Sequence, residues 1–573
     1  MNLTLAYAGR SSWETTRRGS LLTLSPNLSR ELVAFDAPLL KPLRFREAIS
    51  ALHEIVVGDL RYKPKDKTAY LKWKEERARE ERLAYQAAYD KAKAEVLRAQ
   101  KIPMPAGFED EYKRCLGRYW QVRRQYSRYL LLHHPSLWRQ LMPCDPIVTV
   151  ANDALLFEGF SKDESSYGCL SVDRDRGFGR SDEAKLGTTN VDYSQDLFEN
   201  FQAMRSYRET RFRVDPRGFE VATQGREDYR EEKIDLPSSW LAGFVQVQAA
   251  MGLPSRVARL TPGAVRSILA WLKRHREKDS PRSLRFELLP GDAPRIVLEP
   301  WEQVIVSEGT IYDGSPCAPI RVWGRRRLMA LARVLPLADR FEVHLLGSGL
   351  PTFWIAQMGE MRLTLGLSGW TANDWTRSSS LDLLFPSANP SPQTVERVAQ
   401  YLRQYRRAPF EEIREGVLAP PEEIAAALNQ LARTGQAIRD LDAGAFRWRQ
   451  IMPRALGEAE LGPEHPEAAG AKDILRRLGD KLKVSADEKT ADGLRRVAGQ
   501  VDGKKAEILL DADGRMTNGQ CQCSFHRESG FRQGPCRHML VLAQLTARKS
   551  GPLPESEEKT GGFFDNLMRW GRN

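Results

Sequence analysis

Histidine and cysteine are scarce in this 573-residue chain, eight and seven respectively, and the histidines do not fall into catalytic spacings. The phosphate-cradling loop G-x-x-x-x-G-K-[ST], the dinucleotide turn G-x-G-x-x-G and the nucleophile elbow G-x-S-x-G are all missing, so the chain carries no enzyme signature of those kinds. Long apolar runs are missing as well. None approaches the roughly 20 residues needed to cross a bilayer, and the first ten residues lack the basic-then-apolar order of a secretory leader. The expectation is a cytoplasmic protein with no membrane partner. So few cysteines in so long a chain, three of them within residues 521–536, make no secreted disulfide framework, and clustering in a reducing compartment points to metal instead. Cys115, Cys144, Cys169 and Cys317 are scattered and read as small buried apolar residues.

Hydrophobic residues at 41% and charged residues at 28% are close to the usage of folded proteins and exclude wholesale disorder. A chain of this length outgrows one core, so about three to five domains are expected. The formal charge of +12 attracts polyanions at long range, but spread over the whole chain it permits nucleic-acid binding without specifying it.

The fold class expected is multidomain α+β. After an N-terminal segment, 1–64, the stretch 65–142 reads as a helical hairpin, its aromatics at helical spacing and Pro103 and Pro105 marking the turn. Residues 143–386 shift to short β-rich runs, at 147–160, 170–172, 295–298, 303–307 and 341–346, with a helix near 262–277, and form a mixed α/β region of one or two domains. Within it Asp163, Glu164, Ser165, Ser166 and Tyr167 admit an acid/base or metal reading beside the ordinary one, a turn between strands. Gly366, Gly369, Trp370 and Trp375 admit an exposed aromatic edge or tryptophans buried under a glycine turn.

Residues 390–452 carry three apolar-periodic segments, then two strand-like runs around Asp442-Ala443-Gly444. This helix-helix-helix-hairpin order resembles a winged helix. Its third helix offers Asn429 and Gln430 as the main polar groups, while Arg439, Arg447 and Arg449 fall on the wing, so protein contact or a structural role competes with base reading. Residues 453–474, rich in Pro, Gly, Ala and Glu, read as a flexible linker isolating the last module.

That module, 475–549, holds the strongest motif. Cys521-Gln-Cys523 and Cys536-Arg-His538 stand twelve residues apart, and three sulfurs with one imidazole are the donors a closed tetrahedral zinc site takes. Residues 506–510 and 516–520 flank a turn and read as a hairpin delivering the first pair. Pro535 starts a helix delivering the second. His526 rivals His538 as the fourth ligand but lies inside the spacer without a partner at that spacing. Cys-x-Cys, spacer, Cys-x-His, with a hairpin before and an apolar helix after, is similar to the SWIM zinc finger, a ββα module, over roughly 504–547.

The resemblance implies Zn2+ as cofactor, a nucleic-acid or protein interaction role rather than catalysis, and, from the layout of bacterial SWIM proteins, a MoxR-type AAA+ ATPase and a von Willebrand A domain protein as partners. Arg527, Arg532 and Arg537 surround the site and can meet phosphates, and Phe525 and Phe531 can stack on bases; equally, the aromatics cover the small core and the arginines face water. A non-enzymatic zinc-binding adaptor is therefore the first functional expectation. A DNA-binding regulator using the winged-helix-like unit with the finger is the alternative, and a hydrolase built around Asp163 a third. The tail, 550–573, ends in Phe563, Phe564, Leu567, Met568 and Trp570 at helical spacing, a pattern for docking on a partner or on its own chain.

Overall fold

A computed structural model describes residues 33–58, 146–190, 204–214, 238–277, 282–369, 390–451 and 465–549, with breaks at 182, 208, 491–492 and 512–513, the strands Ser12–Thr15 and Gly19–Leu24, and a few short stretches between. The expected hairpin 65–142, the tail 550–573 and Trp370 lie outside them. The chain divides into two compact units, one of residues 1–58, 145–193 and 200–573, the other of 59–144 and 194–199. The first is mixed α/β with five sheets among its described residues, and none of its described helices is long and apolar enough to cross a membrane.

An eight-stranded antiparallel sheet is its centre. In spatial order it runs Arg256–Leu260, Arg340–Leu345, Thr352–Met358, Met361–Leu367, Ser166–Asp173, Ala154–Phe160, Ile147–Val150, Gly187–Asn190. Strand Ala154–Phe160 is apolar almost without alternation because both of its faces are covered. All seven residues of Ala154–Phe160 are buried, Glu158 included. Helix Pro42–Val56 opens on proline, which suits a first turn, and buries Phe45, Ile49, Leu52, Ile55 and Val56. It lies so close to the sheet that a Cβ on Gly168 would stand 2.6 Å from Leu52 Cδ1. Gly168 is thus the strand position over which a helix passes.

Helix Ser238–Gly252 is apolar nearly all round and accordingly buried. Trp240 and Phe244 pack edge-on against Phe160. Its two glutamines do its polar docking. Gln246 donates to Asp382 at 2.9 Å and accepts from the Leu381 N–H at 2.8 Å, and Gln248 accepts from the Arg439 N–H at 2.7 Å. Trp375 is buried, as the glycine-turn reading has it.

Residues 390–451 form helices Pro392–Tyr405, Phe410–Gly416 and Pro421–Arg433 and the hairpin Ala437–Asp440 with Ala445–Trp448. A further strand, Arg407–Pro409, joins Ala445–Trp448 to make a three-stranded sheet. Three residues ending in proline are too short to show a strand period in sequence. The wing arginines are not on a solvated edge. Arg447 and Arg449 are each 1% exposed. Arg447 binds Asp153 at 2.6 Å and Asp440 at 2.7 Å, and Arg449 meets Glu158, itself hydrogen-bonded by the Tyr167 hydroxyl, at 2.9 Å. The hairpin is keyed into the central sheet by buried charge.

The expected linker, 453–474, is helical from Pro466. Helix Pro466–Leu478 buries Glu467, Ala468, Ala471, Ile474 and Leu475, a stripe at 3–4 spacing that its alanines and glutamate hide in the sequence. The last module is therefore not isolated. One apolar cluster runs from Phe160 and Tyr167 to Met539 and Leu542.

His344, on strand Arg340–Leu345, adds a pH dependence. It is 8% exposed, with Nδ1 3.1 Å from the Ser255 hydroxyl. Burial pulls its pKa from 6.5 to about 4, with Asp442 opposing and Arg439 assisting. The unfolded chain takes up a proton as pH falls through about 6.5 while folded His344 stays neutral to about 4. Its stabilisation is therefore complete above 6.5 and lost progressively below, by about 3 kcal/mol at most. Urea midpoints measured between pH 7 and 4 should fall less steeply for His344→Gln than for the parent.

Candidate metal centre

The four sequence-selected ligands converge. One donor atom from each of Cys521, Cys523, Cys536 and His538 lies within 4.8 Å of the other three, and all four residues are buried. Cys521 ends strand Met516–Cys521, the last of a four-stranded antiparallel sheet whose other members are Val484–Lys489, Arg495–Val501 and Lys504–Leu510. The hairpin expected here thus has two more strands before it. Cys523 caps the short helix Ser524–Ser529, its sulfur accepting from the His526 N–H at 3.4 Å. Cys536 precedes helix Arg537–Lys549, and His538 lies in that helix's first turn, on the same side as Met539 and Leu542 of the core.

Two chain reversals therefore bring the pairs together, and the helix beginning beside Cys536 favours negative charge there. His538 Nδ1 is 3.6 Å from Cys521 Sγ and 3.9 Å from Cys536 Sγ. An ion with sulfur bonds of about 2.3 Å and a nitrogen bond of about 2.0 Å in a tetrahedron has donor edges of about 3.5 Å between nitrogen and sulfur and about 3.8 Å between sulfurs, close to these two separations. His526 stays outside the cluster.

Among themselves the thiols place the charge unevenly. A hydrogen bond from the Cys536 thiol holds Cys521 down to about 4, the same bond pushes Cys536 up, and burial raises Cys523. For all three sulfurs to be thiolates in so buried a place, a cation would have to lie among them. The cluster is a candidate metal site.

The residues expected to touch nucleic acid are placed differently from one another. Arg537 forms a fork on Glu467, with its Nη2 at 2.6 Å and its backbone N–H at 2.8 Å, closing helix Pro466–Leu478 onto the finger. Burial would raise Glu467, but the Arg537 bonds outweigh it and hold the carboxyl below its usual range. Arg532 bonds the carbonyls of Ser529 at 2.8 Å and Glu528 at 2.9 Å, and its stem lies where a Gly349 side chain would begin. Phe525 and Phe531 pack against the apolar core, and Phe531 covers Gly519 on the ligand-bearing strand. Arg527 is exposed. Arg532 and Arg537 thus fasten the finger, the two aromatics cover its core, and Arg527 faces water.

The acidic stretch is a turn up to Ser165, and Ser166 and Tyr167 already belong to strand Ser166–Asp173. Asp163 accepts from Ser161 Oγ at 2.7 Å and the Ser165 N–H at 3.2 Å, and Arg327 stands 3.5 Å away. Its carboxylate serves the loop between strands Ala154–Phe160 and Ser166–Asp173, an arrangement that offers a hydrolytic role no support.

No family model and no curated protein matches the chain. Among solved structures, the Proliferating Cellular Nuclear Antigen from Entamoeba histolytica aligns at 11% identity over 40% of this chain and 91% of that one, with a TM-score of 0.27. A. fulgidus PCNA, in a structure with the C-terminal region of FEN-1, aligns at 13% identity over 41% and 92%, also with a TM-score of 0.27.

Proposed function

We propose that the chain is a zinc-binding interaction protein whose metal is structural rather than catalytic. The observation that carries this reading is closure: three thiols and one imidazole, all buried, converge within 4.8 Å, leaving no open position of the kind a catalytic zinc keeps for water. Bound there, the ion would supply a cross-link between strand Met516–Cys521 and helix Arg537–Lys549, and no bond-making chemistry. Zinc is favoured over harder cations by the thiolate-rich donor set.

The role is that of an adaptor. The finger's resemblance to SWIM modules points to nucleic acid or protein as what it holds, with a MoxR-type ATPase and a von Willebrand A protein as the partners implied. Protein contact is the better-supported half. Of the basic and aromatic residues around the finger, Arg532, Arg537, Phe525 and Phe531 have intramolecular work, and the wing arginines Arg447 and Arg449 are buried, which removes these residues as contacts to a phosphate backbone.

Purified untagged protein is expected to carry one equivalent of zinc by elemental analysis. Affinity capture of tagged full-length chain should retain an ATPase partner, while binding to duplex and single-stranded DNA at low salt should be weak. A metal-free preparation that folds normally would refute the structural ion. Tight, salt-sensitive DNA binding would move the function to the regulator reading.

A further inference from the structure

A second site lies away from the metal. A cavity of about 180 Å³ opens where helices Ser238–Gly252 and Pro421–Arg433, the hairpin Ala437–Asp440 with Ala445–Trp448, and the finger's Arg515 meet. Its lining includes the apolar Leu428, Ala432 and Phe446 and the cations Arg439 and Arg515. Arg515 is paired with Asp511 at 3.0 Å and donates to the Gly252 carbonyl. Arg439 is different. Its backbone N–H is held by Gln248 and its guanidinium lies 5.3 Å from the Phe446 ring centre, but its Nε is buried without an acceptor.

No carboxylate among the described residues pairs with Arg439. The acids nearest in sequence are taken, Asp440 by Arg447 at 2.7 Å and Asp442 by Arg362 at 2.7 Å. Burial, and then the charge of Arg515, pull the Arg439 pKa below its usual value. A partly buried cation near a second cation is costly unless an anion joins them. The apolar residues of the lining suit the body of such an anion and not a hydrated phosphate.

We propose that this cavity binds a small organic carboxylate, its charge on Arg439 and Arg515 and its apolar body against Leu428 and Phe446. Because its walls come from the central helix, the winged-helix-like segment and the finger, the ligand would tighten the joint among all three. Guanidinium forks bind carboxylates through paired charge-assisted hydrogen bonds. An amide in the same lining, Asn429, gives a further donor.

The test uses full-length protein with its metal content verified, and benzoate as probe, against benzamide and inorganic phosphate at constant ionic strength. Benzoate should raise the melting temperature saturably and give a calorimetric dissociation constant, with benzamide and phosphate inert. Arg439→Gln should weaken benzoate by about tenfold or more. Should that variant melt abnormally without ligand, Ala432→Met, which fills the cavity and leaves both charges in place, should abolish binding. The proposal fails if benzoate does not saturate, if benzamide or phosphate matches it, or if neither substitution weakens it.

Discussion

Replacing Cys536 by serine is expected to yield protein with far less than one equivalent of metal, cut by trypsin within residues 484–549 at doses that leave the parent chain intact. Serine keeps the size of the side chain and removes the thiolate. Cys536 is 0% exposed, and without its thiolate only Cys521, Cys523 and His538 of the four donors remain to hold an ion. Zinc bound in small fingers supplies an apparent 10 to 16 kcal/mol, about the whole stability of an ordinary domain. The apolar contribution of this segment is modest by comparison, resting on Val497, Val501, Ile508, Met516 and the Met539 to Leu542 turn. Chelation of the parent should reproduce the same cleavage pattern. Persistence of metal and protease resistance in the variant would show that the ion, if any, is held elsewhere.

Arg449→Leu should lower the urea midpoint by the equivalent of about 3 to 5 kcal/mol. Both side chains of the Arg449–Glu158 pair are 0% exposed. Removing the guanidinium leaves a carboxylate in the sheet interior with the Tyr167 hydroxyl, 2.7 Å away, as its neighbour. Losing one member of such a pair is far worse than losing both. The double variant Arg449→Leu with Glu158→Gln should therefore recover much of the loss, and a double-mutant cycle should show strong coupling. A cost under about 1 kcal/mol for the single change would place Arg449 at the surface, where exposed pairs contribute that little.

The convergence of the four candidate ligands was legible in the sequence because their grouping is local. Two short pairs and one spacer bring Cys521 and His538 within reach through one strand end and one helix start. The three helices and hairpin of 390–451 were legible for the same reason, each announced by its own apolar period and by Pro392, Pro421 and Gly435. What stayed hidden depends on partners far along the chain. Arg447 and Arg449 sit beside a turn, where arginines normally face water, and only the distant Asp153 and Glu158 make them core residues. Strand Val484–Lys489 (Val-Ser-Ala-Asp-Glu-Lys) is an edge strand whose side chains are mostly exposed, so it carries no apolar alternation to read. Glu467 looked like linker composition until Arg537, seventy residues on, closed over it. The order of the central sheet, with Met361–Leu367 beside Ser166–Asp173, follows from pairings that no local pattern encodes.

The hairpin keyed into the sheet also imposes an order on biosynthesis. Glu158 and Arg449 are 291 residues apart, so at usual translation rates the acid leaves the ribosome about 15 to 60 s before the base. Through that interval the half-made sheet holds Glu158 without its partner. Slower elongation across 390–451 would lengthen the exposure and increase misassembly of nascent chains, whereas the four candidate ligands, confined to 521–538, emerge within moments of one another.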